Sequence, residues 1–180
     1  MEIRLLREAD DRSTFSSGDD ELDRFFHQYA GQNQFKHHIG TTYVATEGTR
    51  VLGYVTVAPA QMDVEHVPRK RRAGLPQYPV PVLRLARLAR DKSVTGQGVG
   101  EALLFHALRL ALRMAREYGC YGVLVDAKEG RVSYYAKYDF EVIRLEEGES
   151  GTRPRPTPMF LPLKLIIAAV ERSLPSLPDE

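Results

Sequence analysis

Val94-Thr95-Gly96-Gln97-Gly98-Val99-Gly100-Glu101-Ala102-Leu103-Leu104 is the stretch whose reading decides the fold. It follows the apolar run Pro81-Val82-Leu83-Arg84-Leu85-Ala86-Arg87-Leu88-Ala89, which reads as a strand, and it opens a long amphipathic pattern. Glycines at alternate positions leave backbone amides uncovered. The helix start adds unpaired amides and the positive end of a dipole. A strand, a glycine turn and a helix N-terminus in that order bind a pyrophosphate through main-chain donors, without a lysine. A glycine turn by itself also serves simply to avoid steric conflict between strand and helix, so the reading needs a second signature.

Working outward, Leu103, Ala107, Leu110, Ala111, Met114 and Tyr118 recur at helical spacing. They predict one buried face on a helix from Gly98 to Tyr118, with Arg109, Arg113 and Arg116 on a solvated face and Gly119 as its C-cap. A strand at 122–126, a short helix at 130–137 and a strand at 140–144 follow. Upstream, Ile3-Arg4-Leu5-Leu6 alternates as a first strand. A helix begins after Phe15-Ser16-Ser17-Gly18-Asp19-Asp20, with Ser17 or Asp19 as N-cap and Leu22, Phe25, Phe26 and Tyr29 on one face. Two β-branched and aromatic runs, 42–46 and 51–57, flank the turn Glu47-Gly48-Thr49-Arg50 and predict a hairpin. Residues 59–81 read as a long connection, 146–157 as an exposed loop, 159–163 as a last strand and 164–172 as a closing helix. The order β-α-β-β-β-α-β-α-β-β predicts an α/β fold, an α+β mixed sheet with helices on both faces.

The 180 residues suit one domain, 1–180, with 164–180 a C-terminal helix and tail. The single cysteine, Cys120, excludes an intramolecular disulfide framework and suits a reducing compartment. Five histidines lack zinc spacing, so no metal is expected. No apolar run approaches the roughly 20 residues of a membrane span, so a cytoplasmic protein without a membrane partner is expected. Net charge is +1, yet Arg69, Lys70, Arg71, Arg72, Arg84, Arg87 and Arg90 fall in a segment with no acid. That asymmetry points to one anionic binding face.

The second signature is Ser133-Tyr134-Tyr135-Ala136-Lys137-Tyr138-Asp139-Phe140, after the strand Gly122-Val123-Leu124-Val125-Asp126-Ala127. Together with the glycine loop it resembles the acetyl-CoA site of the GCN5-related N-acetyltransferases, the GNAT superfamily. The family loop is Gln/Arg-x-x-Gly-x-Gly/Ala. Here it reads Thr95-Gly96-Gln97-Gly98-Val99-Gly100, with Thr95 in the first place. The resemblance implies a twisted, mostly antiparallel sheet with a splayed parallel strand pair. It implies that Gly96, Gln97, Gly98, Val99, Gly100 and Glu101 cradle the pyrophosphate, and that Leu88, Ala89 and Arg90 pair with the pantetheine amides like an added strand. It makes Tyr135 the general acid toward the departing thiolate; as a tyrosine taken alone, Tyr135 reads equally as a core aromatic. Asp139 replaces the family glycine and tolerates a left-handed turn better than most residues.

Phe15-Ser16-Ser17-Gly18-Asp19-Asp20-Glu21-Leu22-Asp23-Arg24-Phe25-Phe26, Gly53-Tyr54-Val55-Thr56-Val57 and Pro79-Val80-Pro81-Val82-Leu83-Arg84-Leu85-Ala86-Arg87-Leu88-Ala89 resemble segments of the GNAT toxins of bacterial type II toxin–antitoxin modules. Arg90 stands where those toxins have Val. The likeness spans residues 3–163. It implies direct acetyl transfer from acetyl-CoA to the α-amino group of a charged tRNA, a homodimer, and a ribbon–helix–helix antitoxin. An α-amine near pKa 7.7–8.0 needs an acid for the thiolate but no strong base. His37 and His38 are titratable but read as a solvated pair. Arg69, Lys70, Arg71, Arg72 and Arg87 are candidate tRNA contacts, extended by Lys36, Arg153 and Arg155; the run 69–72 reads equally as a solvated loop. Two other readings stand: acetylation of a small amine, polyamine or protein amine, and a non-catalytic acyl-CoA-binding module.

Overall fold

The computed structural model describes residues 1–143 and 155–173. Expectations for Arg153, for most of the 146–157 loop and for the 174–180 tail lie outside the described residues. The strands are β1 (Glu2–Leu5), β2 (Thr41–Glu47), β3 (Arg50–Met62), β4 (Val80–Arg90), β5 (Gly122–Ala127), β6 (Glu141–Val142) and β7 (Thr157–Pro162). The helices are α1 (Asp20–Arg24), α2 (Val99–Glu117), α3 (Val132–Ala136) and α4 (Leu163–Ser173). Their order along the chain is the expected one. The sheet order is β1-β2-β3-β4-β5-β7-β6, mostly antiparallel with β4 and β5 a parallel pair. Chain contacts define two compact units.

The first unit comprises Met1–Pro59 and Leu85–Ala107. β2 lies antiparallel between β1 and β3, with Ile3 opposite Ala45 and Tyr43 opposite Val55. Its core is aromatic. Phe26 stacks parallel on Tyr54 with centroids 4.4 Å apart, and Phe15 meets Phe26 edge-on at 4.9 Å. The Tyr54 hydroxyl donates to Leu22 O at 2.8 Å, which satisfies a phenol otherwise costly to bury and ties α1 to β3. Asp19, not Ser17, caps α1: its carboxylate accepts from the amides of Glu21 and Leu22. The helix then widens into π-helical turns at Phe25–Tyr29 and Gln32–His37. That winding breaks the expected face. Phe26 is fully buried and Leu22 and Phe25 pack beside it, but Tyr29 turns out to solvent, because wider turns carry a residue away from its 3.6-period position.

The second unit comprises Ala60–Arg84 and Leu108–Glu180. β7 lies antiparallel between β5 and β6, with Leu161 opposite Val123 and Phe160 opposite Glu141. Met62, Val67, Val80, Val82, Leu124, Ile143 and Phe160 form its core. Tyr121 stacks on Phe160 at 5.8 Å and donates from its hydroxyl to Arg71 O at 3.1 Å. The connection after β3 contains two short 3-10 turns, Val64–His66 and Arg69–Arg71.

On α2 the buried residues are Val99, Leu103, Leu104, Ala107, Leu108, Ala111 and Met114. Leu110 is only half-buried and Tyr118 is exposed, so the expected stripe is corrected at both. Tyr118 lies past the helix end, where Gly119 takes a positive φ of 101° and its amide closes on Met114 O. No described helix is long and apolar enough to cross a membrane.

Candidate active site

The glycine loop sits between the last residue of β4 and the first turn of α2. Gly96 and Gly98 adopt φ of 79° and 75°, and a Cβ built on either would meet nothing within 4 Å. The turn therefore needs glycine for its backbone conformation, and it faces open space. The amides of Gly98, Val99, Gly100 and Glu101 donate to nothing among the described residues; the first helical bond is Ala102 N to Gly98 O at 2.9 Å. Four consecutive unpaired N–H groups at the N-terminus of a 19-residue helix form a cradle for an anion. Gln97 differs from its neighbours: its amide closes the turn on Val94 O at 3.2 Å, so only its exposed side chain is available.

The anchoring of this loop is not legible from the glycines. Asp91, almost wholly buried, accepts the amides of Ser16 at 3.0 Å and Ser93 at 2.9 Å, and the Ser93 hydroxyl. The Arg50 guanidinium lies 3.9 Å from the same carboxylate and donates to Ser93 Oγ. Burial alone would raise the Asp91 pKa; the bonds from Ser93 and Ser16, aided by Arg50, outweigh it and hold the carboxyl below its usual range. The signal in the sequence is Asp91-Lys92-Ser93, an acid two residues before a serine at a strand end, the pattern of an Asx turn.

The three arginines of β4 separate. Arg84 pairs with Asp126. The Arg87 guanidinium stands 5.0 Å over the Phe25 ring, its Nη1 donates to Ala86 O, and its Nε is buried without a partner. Arg90 reaches the loop, donating to Thr95 Oγ1 at 2.6 Å. Leu83, Leu85 and Ala89 are buried while Leu88 and Arg90 are half-buried, as strand alternation requires.

The run 69–72 divides as well. Arg72 Nε donates to Val67 O at 2.6 Å and its Nη2 to Glu65 O, so it closes its own loop. Lys70 Nζ lies 2.7 Å and Arg71 Nη2 3.6 Å from Glu141. Arg69 is exposed, and its side chain makes no hydrogen bond or ion pair among the described residues. Lys36 and Arg155 are exposed.

In the second unit, Tyr135 lies on α3 and is 7% exposed. Tyr134 and Phe140 meet its ring edge-on at 5.2 and 5.5 Å. Its hydroxyl makes no hydrogen bond among the described residues. Burial pushes its pKa up to about 12, with the Arg131 charge opposing. Tyr135 is therefore a protonated phenol at any physiological pH. Asp139 takes φ 64°, the left-handed turn expected of it, and its amide bonds Ala136 O at 3.2 Å. His37 and His38 are exposed, and His38 ends the helix at φ 54°. Cys120 is buried, its thiol bonded to Gly122 O at 3.2 Å, and burial raises its pKa, which disfavours the thiolate a nucleophile needs.

The acetyltransferase (GNAT) domain family matches residues 38–142. A tRNA-acetylating toxin of Mycobacterium tuberculosis (strain ATCC 25618 / H37Rv) is 31% identical over 140 residues, covering 77% of this chain and 83% of the toxin. The solved structure of AtaT complexed with acetyl-methionyl-tRNAfMet superposes with a TM-score of 0.80 at 25% identity, over 94% of this chain and 98% of that one. AtaTR bound with AcCoA gives a TM-score of 0.74 at 26% identity, over 94% and 97%.

Proposed function

Because the chain belongs to the GNAT acetyltransferase family, we propose that it transfers an acetyl group from acetyl-CoA directly to the α-amino group of an aminoacyl-tRNA, as a translation-blocking toxin. The observation that carries the chemistry is Tyr135: a buried phenol, protonated, with a hydroxyl that bonds nothing among the described residues. The likeness to a tRNA-acetylating toxin supports the acceptor.

Bound acetyl-CoA supplies an activated acetyl thioester. The unpaired amides of Gly98 to Glu101, with open space around Gly96 and Gly98, fit its pyrophosphate. The backbone of Leu88, Ala89 and Arg90 pairs with the pantetheine arm, and an amide there steadies the oxyanion. Tyr135 gives its proton to sulfur as the C–S bond breaks, and its phenolate takes a proton from the newly acylated nitrogen. A phenol at about 12 hands a proton to a thiolate near 8.5 only uphill, by about 5 kcal/mol if the step were separate. Donation therefore accompanies bond cleavage. The same high basicity makes the phenolate an efficient acceptor for the second proton, so no further base is required.

The same reading makes residues 1–180 one catalytic domain and expects a cytoplasmic homodimer with a ribbon–helix–helix antitoxin; sedimentation mass, alone and with the product of an adjacent reading frame, tests the assembly. The acceptor is tested by labelled acetyl-CoA with a pool of charged tRNAs, beside uncharged tRNA, polyamines and free amino acids. Label in charged tRNA alone is the expected result. Label in the small amines would make the protein a metabolic acetyltransferase, and acetyl-CoA binding with no transfer would make it a binding module.

A further inference from the structure

We propose that the Arg90 side chain contacts the pyrophosphate of acetyl-CoA across the glycine loop, held in place by Thr95. The inference rests on the acetyl-CoA site proposed above and concerns a side chain, where that reading uses only the Arg90 backbone.

Two residues depart from the family pattern around this loop: Thr95, where Gln or Arg is usual, and Arg90, where Val is usual. They touch. Arg90 Nη1 donates to Thr95 Oγ1 at 2.6 Å, and that hydroxyl donates in turn to Lys92 O at 2.6 Å. The threonine hydroxyl has one proton, and Lys92 O takes it. Thr95 therefore offers a ligand no donor of its own; its lone pair instead fixes the arginine head. The same Nη1 has a second, long contact to Asp91 O at 3.5 Å. The other guanidinium nitrogens make no hydrogen bond, and Arg90 has no carboxylate partner, among the described residues. Arg50 is the contrast, placed against Asp91 and Ser93.

An unpaired planar cation is thus tethered to the first residue of a turn whose next residues, Gly96 to Gly98, are exposed and whose following amides are unpaired. A guanidinium fork matches two phosphate oxygens, and main-chain N–H groups take the others. Arginine from the strand end supplies a cation that the turn from Thr95 to Gly100 lacks.

The test is acetyl-CoA affinity by calorimetric titration of the wild type, Arg90→Val and Thr95→Val, repeated with 3′-dephospho acetyl-CoA, and kcat/KM with S-acetyl-pantetheine. Val suits a strand end and leaves the backbone donors in place. Arg90→Val should weaken acetyl-CoA by about tenfold and Thr95→Val by roughly threefold, magnitudes ordinary for a charge-assisted bond and for loss of its tether. Both losses should persist with the 3′-dephospho compound and vanish with S-acetyl-pantetheine, which has no pyrophosphate. Unchanged affinity in Arg90→Val overturns the proposal. So does a loss that disappears with 3′-dephospho acetyl-CoA, which would place Arg90 on the 3′-phosphate, or an equal loss with S-acetyl-pantetheine, which would make the effect one of backbone. A wild type that fails to bind acetyl-CoA at all removes the proposed function itself, a failure distinct from these three.

Discussion

The Asp91 carboxylate accepts the Ser16 amide at 3.0 Å across 75 residues of sequence, and the Lys92 amide returns a bond to Ser16 O at 2.8 Å. Asp23 completes the arrangement by accepting from Ser17 N at 2.8 Å and from the Ser17 hydroxyl. The lead into α1 and the lead into the glycine loop are therefore held as one hydrogen-bonded piece. Asp91→Ala leaves the Ser16 and Ser93 amides without acceptors. It should cost about 1–3 kcal/mol, read from the urea midpoint, and raise the KM for acetyl-CoA. The pKa of Asp91 is lowered in the native state. Its contribution is thus present above the unfolded value near 3.9 and is lost as pH falls through the native one. The stability gap between wild type and Asp91→Ala should be steady from pH 5 upward and close in stronger acid.

Gly53 fixes where α2 starts. A Cβ there would lie 2.8 Å from Leu103 Cδ1, 2.9 Å from Ala89 O and 2.9 Å from Val99 Cγ1. Two of these are side chains at the start of α2 and the third is strand backbone, which cannot yield cheaply. Gly53→Ala should destabilise by about 1–3 kcal/mol through overpacking and should weaken acetyl-CoA binding with it. An unchanged denaturation midpoint would show that α2 can shift without loss.

The hairpin, the glycine loop and α2 are legible in the sequence because each rests on local chemistry: β-branched alternation, glycine at positive φ, a 3.6-residue period. The end of α2 is less so, since Tyr118 keeps the period in sequence after the helix has stopped at Glu117. The π-helical turns after α1 carry no local mark, and they are what expose Tyr29. The arginines are the least legible. Arg84, Arg87 and Arg90 read as one basic stripe, but their partners Asp126, Phe25 and Thr95 come from three segments. A side chain that long is placed by tertiary partners, which periodicity does not report.

Asp139 shows a departure the fold absorbs at a cost. It holds φ 64°, a conformation an aspartate adopts less readily than glycine. Asp139→Gly should raise stability by roughly 0.5–1 kcal/mol, and Asp139→Val should lower it by more than that, because a β-branched residue fits the left-handed region worst. Thermal unfolding of the pair checks the sign in both directions.

Tyr135→Phe should cut kcat by roughly 10²–10⁴ while leaving the dissociation constant of acetyl-CoA within about twofold. The pH profile carries the sharper test. The active form of Tyr135 is the neutral phenol, and burial holds its pKa up to about 12. Rates should rise with pH as the acceptor amine deprotonates, with a midpoint at or below about 8, and then stay level to pH 10. A descending limb near pH 9 would mean that the acid is a different group.

Arg69 and Arg72 are adjacent in the basic run but should fail in different ways. Arg72 bonds the carbonyls of Val67 and Glu65, so Arg72→Ala removes the clamp on its own loop. It should cost about 1–2 kcal/mol of stability and affect every acceptor equally. The Arg69 side chain is exposed with no hydrogen bond or ion pair among the described residues, so Arg69→Glu should leave stability within about 0.5 kcal/mol. If the run meets tRNA phosphates, Arg69→Glu raises the KM for charged tRNA several-fold and flattens its salt dependence, with kcat unchanged. Equal salt slopes for Arg69→Glu and wild type would remove this residue from the tRNA interface and leave the run as a folded, solvated loop.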